Sequence, residues 1–475
     1  MIKTKLFKVF IVFFGLIGML GSVHAASLLE VYQQALQSDP LIHEAEARRL
    51  AALEAEPQAR GVLFPQVSFG GDWTKTDSSG TSVGEDSSGN FGSFTSDADS
   101  ETTRWQFTLR QTLFRWDQIV GLRRADKLVA KAEAEREAAQ QDLIVRVAQR
   151  YFDVLAAEDR LTSIHADRQA IARQLEQAKQ RFEVGLIAIT AVQESQAAYD
   201  QAVAAEIAAK RSLATAREFL REITGSYISD LSAPGEDFPL QNPAPADEAS
   251  WVDLSLSQNL TLIASRLDEE LARDEISFRR NGYYPSIELV ANSGESDTEA
   301  DRSVNNGPFF PADSDGRSDS ISVQFNLPLF AGGTTSSRVR EAVYLHRATR
   351  EQLQRVTRAT ERQARDAYLG VLSEMSRVRA LEQAVASSRT ALEATEAGFD
   401  VGTRTIVDVL DSQFNLYASI TNYYQSRYDY ILNVLALKQA AGNLQIEDLE
   451  NIDRWLKDRP TPEQAIAEEA SSATP

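Results

Sequence analysis

The chain has no cysteine, and only four of its 475 residues are histidine. Without cysteine there can be no disulfide, thiolate-bound metal, cysteine nucleophile or lipidated cysteine, and four histidines leave little material for a zinc or iron centre. We therefore expect neither a metal site nor a cofactor. Basic residues are also few, with 49 lysines and arginines against 69 acids and a net charge of −20. This balance argues against nucleic acid as a partner.

Long apolar runs are lacking as well. One stretch, from Val9 to Leu20, follows three lysines and precedes small residues that end at Ala25. It is shorter than the roughly 20 residues that a spanning helix needs. The pattern predicts a signal peptide over residues 1–25 rather than a retained anchor. Its removal would take away three lysines and change the net charge from −20 to −23.

The sequence repeats itself. The stretch RFEVGLIAITAVQESQ at 181–196 matches GFDVGTRTIVDVLDSQ at 398–413, and Pro65 and Tyr151 are matched by Pro285 and Tyr368. A tandem duplication explains these matches. The tail of the chain is rich in Pro, Ser and Glu and is predicted to be disordered. The predicted bounds are 26–225 for the first repeat, 226–250 for a linker, 251–442 for the second repeat and 443–475 for a C-terminal extension.

Each repeat has the same predicted order of elements: a helix, two strands, a very long helix, a tight turn and a return helix. The long helices, 116–183 and 334–400, contain no proline. At 1.5 Å per residue, each would be a rod of roughly 100 Å. The other helices are predicted over residues 28–60, 190–223, 251–280 and 405–441.

The predicted strands alternate apolar and polar residues, as in Val67, Phe69 and Trp73. Each strand would have about ten residues, and the polar segments 76–102 and 292–320 are expected to be loops in water. Four strands cannot close a membrane barrel, which needs about eight, so the chain must assemble. A soluble two-sheet core capped by helices remains an alternative. The aromatic residues expected at the membrane interface are Trp73, Trp105, Phe107 and Phe325.

Each repeated stretch predicts a tight helical hairpin. Gly185 and Gly402 lie where a left-handed residue would end the long helix. Thr190 and Thr405 are predicted to begin the return helices, with Gln193 and Asp408 three residues later as capping-box partners.

The repeated turns, the start SLLEVYQQALQSDP and the doubled order of elements resemble the TolC family of outer-membrane efflux ducts, over about residues 27–450. The resemblance implies a homotrimer in which twelve strands form a β-barrel in outer-membrane lipid and twelve helices form a coiled-coil tunnel through the periplasm. It also implies a periplasmic adaptor, an inner-membrane pump of the ABC or RND type, and a passive exit duct for efflux or type I protein secretion. The duct would catalyse nothing.

Under this resemblance, the hairpin ends would contact the adaptor. A simpler interpretation is that glycine and threonine serve only the turn, which we favour for the two glycines taken alone, whereas exposed Leu186 favours contact. The expected contact residues are Val184, Gly185, Leu186, Thr190, Val401, Gly402, Thr403 and Thr405.

Asp408 and Asp411 lie three residues apart and so share one face of the return helix. The resemblance implies that three copies of each ring the periplasmic entrance, where carboxylates select cations and bind multivalent ones. The alternative is a solvated face on which Asp408 only completes a helix cap.

Arg404 matches a family arginine that holds the second hairpin in the closed state. Here Ala191 replaces an acid and Phe399 replaces a tyrosine, so two expected partners of that contact are missing. We therefore expect a duct with fewer polar contacts at its gate, which opens more readily.

Two other classes of protein remain open at this point. A secreted trimeric coiled-coil adhesin or scaffold explains the rods but predicts a single barrel segment at the C-terminus. A periplasmic enzyme needs a catalytic constellation, and the sequence offers no nucleophile elbow, phosphate loop or metal-ligand spacing.

Overall fold

A computed structural model describes residues 25–85, 89, 91–235, 237–305 and 307–459. All but the last residue of the predicted signal peptide, and the tail from residue 460, lie outside the described residues. The first part of the chain contains α1 (Leu28–Ser38), α2 (Pro40–Leu53), α3 (Ala55–Gly61), β1 (Gln66–Glu85), β2 (Phe91–Phe114), α4 (Trp116–Glu183), α5 (Ile189–Thr224) and β3 (Ala233–Pro234). The remainder contains α6 (Glu248–Gln258), α7 (Leu260–Arg279), a 3-10 turn (Arg280–Tyr283), β4 (Ser286–Val304), β5 (Phe310–Pro311), β6 (Ser314–Asn326), α8 (Thr334–Asp400), α9 (Ile406–Ala441), α10 (Ile446–Asp453) and β7 (Leu456–Lys457).

The two long helices confirm the sequence prediction. α4 has 68 residues and α8 has 67, and both end at the glycine turns. Each pairs with its return helix, α5 or α9, to form a helical hairpin. None of the helices in the described residues is long and apolar enough to cross a bilayer.

The hydrophobic core lies at the middle of the long helices, far from their ends. Tyr151 and Phe152 of α4 are fully buried there, and Phe152 stacks on Tyr428 of α9 with ring centroids 5.4 Å apart. α1 and α10 pack against the same core. Both hairpins therefore project from a common base, and their tips are free of the main core.

The stretches predicted as helical over 28–60 and 251–280 are helical, but each is divided into shorter helices. α1 ends before Asp39-Pro40, because proline cannot donate the backbone hydrogen bond that a continued helix requires. The second break lies at Asn259, whose side chain accepts a hydrogen bond of 3.0 Å from the backbone of Leu262 and so caps α7.

One antiparallel sheet joins the two halves of the chain, in the order β1-β2-β4-β6, with the short β5 also on β4. The register places Phe69 opposite Phe107, and Ile287 opposite Phe325, so their apolar side chains share one face. This face is exposed, because Phe69 and Phe325 are each more than half accessible. The sheet thus presents an apolar surface with no covering layer among the described residues.

The strands are longer than predicted. β1 has 20 residues and β2 has 24, so most of the segment 76–102, expected as a solvent loop, is paired strand; β4 and β6 likewise extend into 292–320. The expectation failed because strand pairing uses backbone groups and does not need an apolar face when both faces are in water. At the other end, β6 stops at Asn326, two residues before Pro328, which has no N–H for the ladder.

The linker and the C-terminal extension pack against each other. β3 in the linker pairs with β7, and Leu231 and Leu449 are buried in the core. Arg459 Nη1 lies 2.6 Å from Oδ1 of Asp159 in α4. Burial raises the pKa of Asp159, while Arg459 and the Tyr428 hydroxyl oppose that rise. The described part of the extension is therefore an ordered tie between the linker and the helices.

Candidate functional site: the two hairpin tips

Both tips are built by the same backbone turn. Gly185 and Gly402 have φ values of 74° and 80°, the left-handed conformation that glycine adopts without strain. At the first tip, the N–H of Gly185 donates to Phe182 O at 2.9 Å and the N–H of Leu186 donates to Arg181 O at 2.8 Å. The second tip repeats this pair of bonds from Gly402 and Thr403. Two Schellman motifs thus satisfy the last carbonyls of α4 and α8.

The return helices begin differently at the two tips. Thr405 caps α9 as predicted: its hydroxyl accepts from the N–H of Asp408 at 3.3 Å, and Asp408 Oδ2 accepts from the N–H of Thr405 at 2.8 Å. The prediction for Thr190 is wrong, because α5 begins at Ile189 and its N-cap is Ala188, which has no side-chain oxygen. The first tip therefore has no capping box.

The tips expose apolar side chains. Val184, Leu186 and Val401 are 71%, 73% and 75% accessible. The first tip places two such side chains around its glycine, whereas the second places Val401 before its glycine and Thr403 after it. The two tips therefore share a backbone shape but differ in surface chemistry.

Asp408, Asp411 and Arg404 all lie on or next to the second tip. Arg404 is exposed, and its Nη1 is 3.9 Å from Asp408 Oδ1. Hydrogen bonds from the backbone and hydroxyl of Thr405 lower the pKa of Asp408. Asp411, one helical turn further on, is exposed to solvent. Asp408 is therefore engaged in a cap, and Asp411 presents its carboxylate to solvent.

One residue at the tips was missed in the sequence analysis. Arg181, in the last turn of α4, places Nη2 2.7 Å from Asp400 Oδ1, and its guanidinium carbon lies 4.7 Å from the ring centre of Phe399. Asp400 and Phe399 belong to α8, so this contact joins the first hairpin to the second. The repeat places Gly398 where the first tip has Arg181, so only the first tip carries an arginine at this position.

A second contact joins the hairpins nearer the core. Gln413 of α9 is buried and donates to Asp167 of α4, at 3.1 Å to the backbone oxygen and 2.8 Å to Oδ1. Burial raises the pKa of Asp167, and the amide donor opposes that rise. The repeat-matched Gln196 instead binds Asp200 within its own helix at 3.0 Å. Identical residues in the repeat thus make different contacts.

The four aromatic residues predicted at the membrane interface all lie on the sheet. Trp73, Phe107 and Phe325 are exposed and Trp105 is half-buried, with its ring 6.1 Å from that of Phe107. In the described part of the chain, no three histidine or carboxylate side chains converge as a metal site requires.

An exposed apolar sheet, two rods of roughly 100 Å and two hairpin tips define a membrane duct with a long helical extension. The family model "Outer membrane efflux protein" matches residues 31–226 and 251–443. The chain belongs to this family, which consists of transport channels and is not an enzyme family.

Similar proteins agree with this assignment. The chain is 37% identical over 438 residues to the outer membrane protein TolC of Vibrio cholerae. The matched region covers 92% of this chain and 95% of the relative. It is 28% identical to the alkaline protease secretion protein AprF of Pseudomonas aeruginosa, over 90% of this chain and 86% of the relative. The crystal structure of the outer membrane protein VceC of Vibrio cholerae superposes with a TM-score of 0.70 at 19% identity, over 87% of this chain and 96% of that one.

These findings make the protein a channel of the outer membrane of a Gram-negative bacterium, with a periplasmic extension. They do not support the adhesin interpretation, because the relatives are efflux and secretion channels. The two-sheet soluble core also fails, since the described strands form one main sheet and a separate two-stranded pair.

Proposed function

We propose that three copies of the chain form a single exit duct, with a barrel of twelve strands and a tunnel of twelve helices. The supporting observation is the open sheet: among the described residues, β1 pairs only with β2, and β6 pairs only with β4. Free edges beside an apolar face cannot remain unpaired in lipid. Pairing β1 of one copy with β6 of the next would close the barrel.

The duct would serve tripartite efflux, type I protein secretion or both. The relatives named for TolC and for secretion of alkaline protease support the two cargo classes. The partners would be a periplasmic adaptor and an inner-membrane pump, which supplies the energy. The two structural repeats, 26–225 and 251–442, would give the trimer six hairpin tips around its periplasmic mouth.

The adaptor would dock on these tips. Val184, Leu186 and Val401 expose apolar area with no covering side chain among the described residues, as a docking surface requires. Gly185, Gly402, Thr403 and Thr405 would hold the shape of the turn, and Thr190, on the exposed first turn of α5, would lie at the edge of the surface. Because the first tip is the more apolar, adaptor hairpins would meet two alternating kinds of surface.

Asp411 and Asp408 would form the cation-binding ring at the entrance, and Arg404 would flank it. Asp411 is exposed, whereas Asp408 uses Oδ2 for the cap and has Oδ1 3.9 Å from Arg404 Nη1. Asp408→Asn keeps an acceptor for the cap and removes the charge, while Asp408→Ala removes both. If Asp408 belongs to the ring, Asp408→Asn will weaken cation block as much as Asp408→Ala does. Unchanged block in Asp408→Asn would assign Asp408 to the cap alone.

The assembly is tested with the purified full-length protein in detergent. We expect a trimer that survives SDS unheated, dissociates on boiling and conducts cations in a planar bilayer. Substituting three exposed residues of the apolar face, Phe69→Asp, Val323→Asp and Phe325→Asp, should abolish membrane insertion, whereas Thr76→Asp, on the polar part of β1, should not. A stable monomer with no conductance would overturn the proposal.

A further inference from the structure

We propose that Arg181 is a gate-positioning residue that ties the two hairpins of each chain together at the periplasmic end and so holds the duct closed. This inference rests on the proposed function. The acid and the hydroxyl expected at Ala191 and Phe399 are absent from this chain, so those two partners cannot link the hairpins at the gate. Arg181 makes such a link with different residues.

The contact has two components. The guanidinium forms an ion pair of 2.7 Å with Asp400, and it lies over the Phe399 ring at 4.7 Å. Arginine suits both, because its planar guanidinium can bind a carboxylate by its edge and an aromatic ring by its face. Phe399 lacks the hydroxyl of the expected tyrosine, but its aromatic ring still contacts the opposite hairpin.

The backbone around Arg181 is fixed. Its carbonyl accepts the bond from Leu186 that closes the first Schellman motif. Asp400 is the last residue of α8, next to the second Schellman turn. The side chains therefore start from two ordered helix ends, with Arg181 25% and Asp400 62% accessible.

The position of the contact increases its effect on the gate. The buried contact between Gln413 and Asp167 lies 14 residues closer to the core along α4, or about 21 Å. Below that point, Arg181 provides the ion pair between α4 and α8 within the described residues. Loss of Arg181 would let the hairpin ends separate while the buried contact and the core remain in place.

The test compares single-channel open probability in a planar bilayer for four variants of the full-length trimer. Arg181→Ala and Asp400→Ala should each raise open probability by about threefold to tenfold, as expected for a partly exposed ion pair with a cation–π contact. Phe399→Leu should give a smaller rise. Lys179→Ala is the matched control, because it removes a positive charge from the same exposed end of α4 and should change little.

The double variant shows whether Arg181 and Asp400 act through one shared contact or independently of each other. Arg181→Ala combined with Asp400→Ala should open no more than the stronger single variant, since one contact is lost in both. Additive effects, or an equal effect of Lys179→Ala, would overturn the inference. A wild-type trimer that never conducts would instead overturn the proposed function, so the two failures are distinguishable.

A cross-link gives a second readout. Because the chain has no cysteine, Arg181→Cys with Asp400→Cys introduces the only two thiols. A short bifunctional maleimide should lower open probability below that of the unreacted double variant. Efficient cross-linking with unchanged open probability would show that the hairpins need not separate at this point and would refute the role of Arg181.

Discussion

The two hairpin tips have the same backbone turn but different side-chain support. The second tip adds a capping box from Thr405 and Asp408, and the hydroxyl of Thr403 donates to Gly398 O at 3.0 Å. The return helix of the first tip begins at Ile189, its N-cap Ala188 offers no side-chain cap, and this tip exposes more apolar surface. A duplicated sequence can thus keep the same backbone turn while the side chains of its two copies differ. The second tip carries the capped helix start and the charged residues Arg404, Asp408 and Asp411, whereas the first carries more exposed apolar area.

The largest expected effect tests what the tips share. Gly185→Ala and Gly402→Ala should each destabilise their turn by about 1–2 kcal/mol, because both residues are left-handed. The two costs should be equal, since an added Cβ meets no atom within 4 Å at either position. Amide hydrogen exchange of the two turns measures both. Gly121→Ala, in the α4 interior with open space around it, is the control and should not destabilise.

The next effect tests how the tips differ. Thr405→Ala should destabilise the start of α9 by about 1 kcal/mol, because it removes the side-chain cap. Thr190→Ala should change the stability of the first tip by only about a few tenths of a kcal/mol, because Thr190 lies within the helix and makes no cap. Hydrogen exchange at the two helix starts gives the comparison. Equal destabilisation by Thr405→Ala and Thr190→Ala would contradict a capping box at the second tip alone.

The difference can also be removed by design. Ala188→Thr with Ala191→Asp places a capping box on α5, and it should stabilise the first tip by about 0.5–1 kcal/mol. Ala191→Asp also restores the acid expected in a family gate, and with Phe399→Tyr it should lower conductance. Ala188→Thr alone separates the two effects, because it can cap the helix without adding charge. Unchanged conductance with Ala191→Asp and Phe399→Tyr would refute the idea of a missing latch.

The smallest effect is a dependence on pH. Hydrogen bonds from Thr405 lower the pKa of Asp408 below the usual value of about 3.9. The carboxylate therefore contributes to the cap fully above that value, and the contribution is lost as the pH falls through the lowered pKa. Hydrogen exchange at the second tip should accelerate over that acidic range more than at the first tip. Asp408→Asn should remove the difference.

Local rules predicted the parts of the molecule that depend on local interactions. The ends of α4 and α8 and both left-handed glycines follow from helix periodicity and capping chemistry. Residue type alone puts the cap of α5 at Thr190, whereas the repeat alignment pairs Thr405 with Ala188.

The features that sequence patterns do not reveal depend on contacts between residues far apart along the chain. The polar strands in 76–102 have no apolar alternation, and their pairing is a property of the backbone that periodicity does not report. Arg181 and Asp400 are 219 residues apart, so no local pattern could join them. Only the packing of the two hairpins side by side brings these residues together.

The most direct test of the gate is single-channel conductance in a planar bilayer with a trivalent cation added on the periplasmic side. Wild type is compared with Asp408→Asn plus Asp411→Asn, which removes the charge and keeps an acceptor at the cap. We predict a cation-selective channel that the trivalent ion blocks in wild type and does not block in the variant. Equal block of both proteins, or a folded trimer that never conducts, would contradict the account.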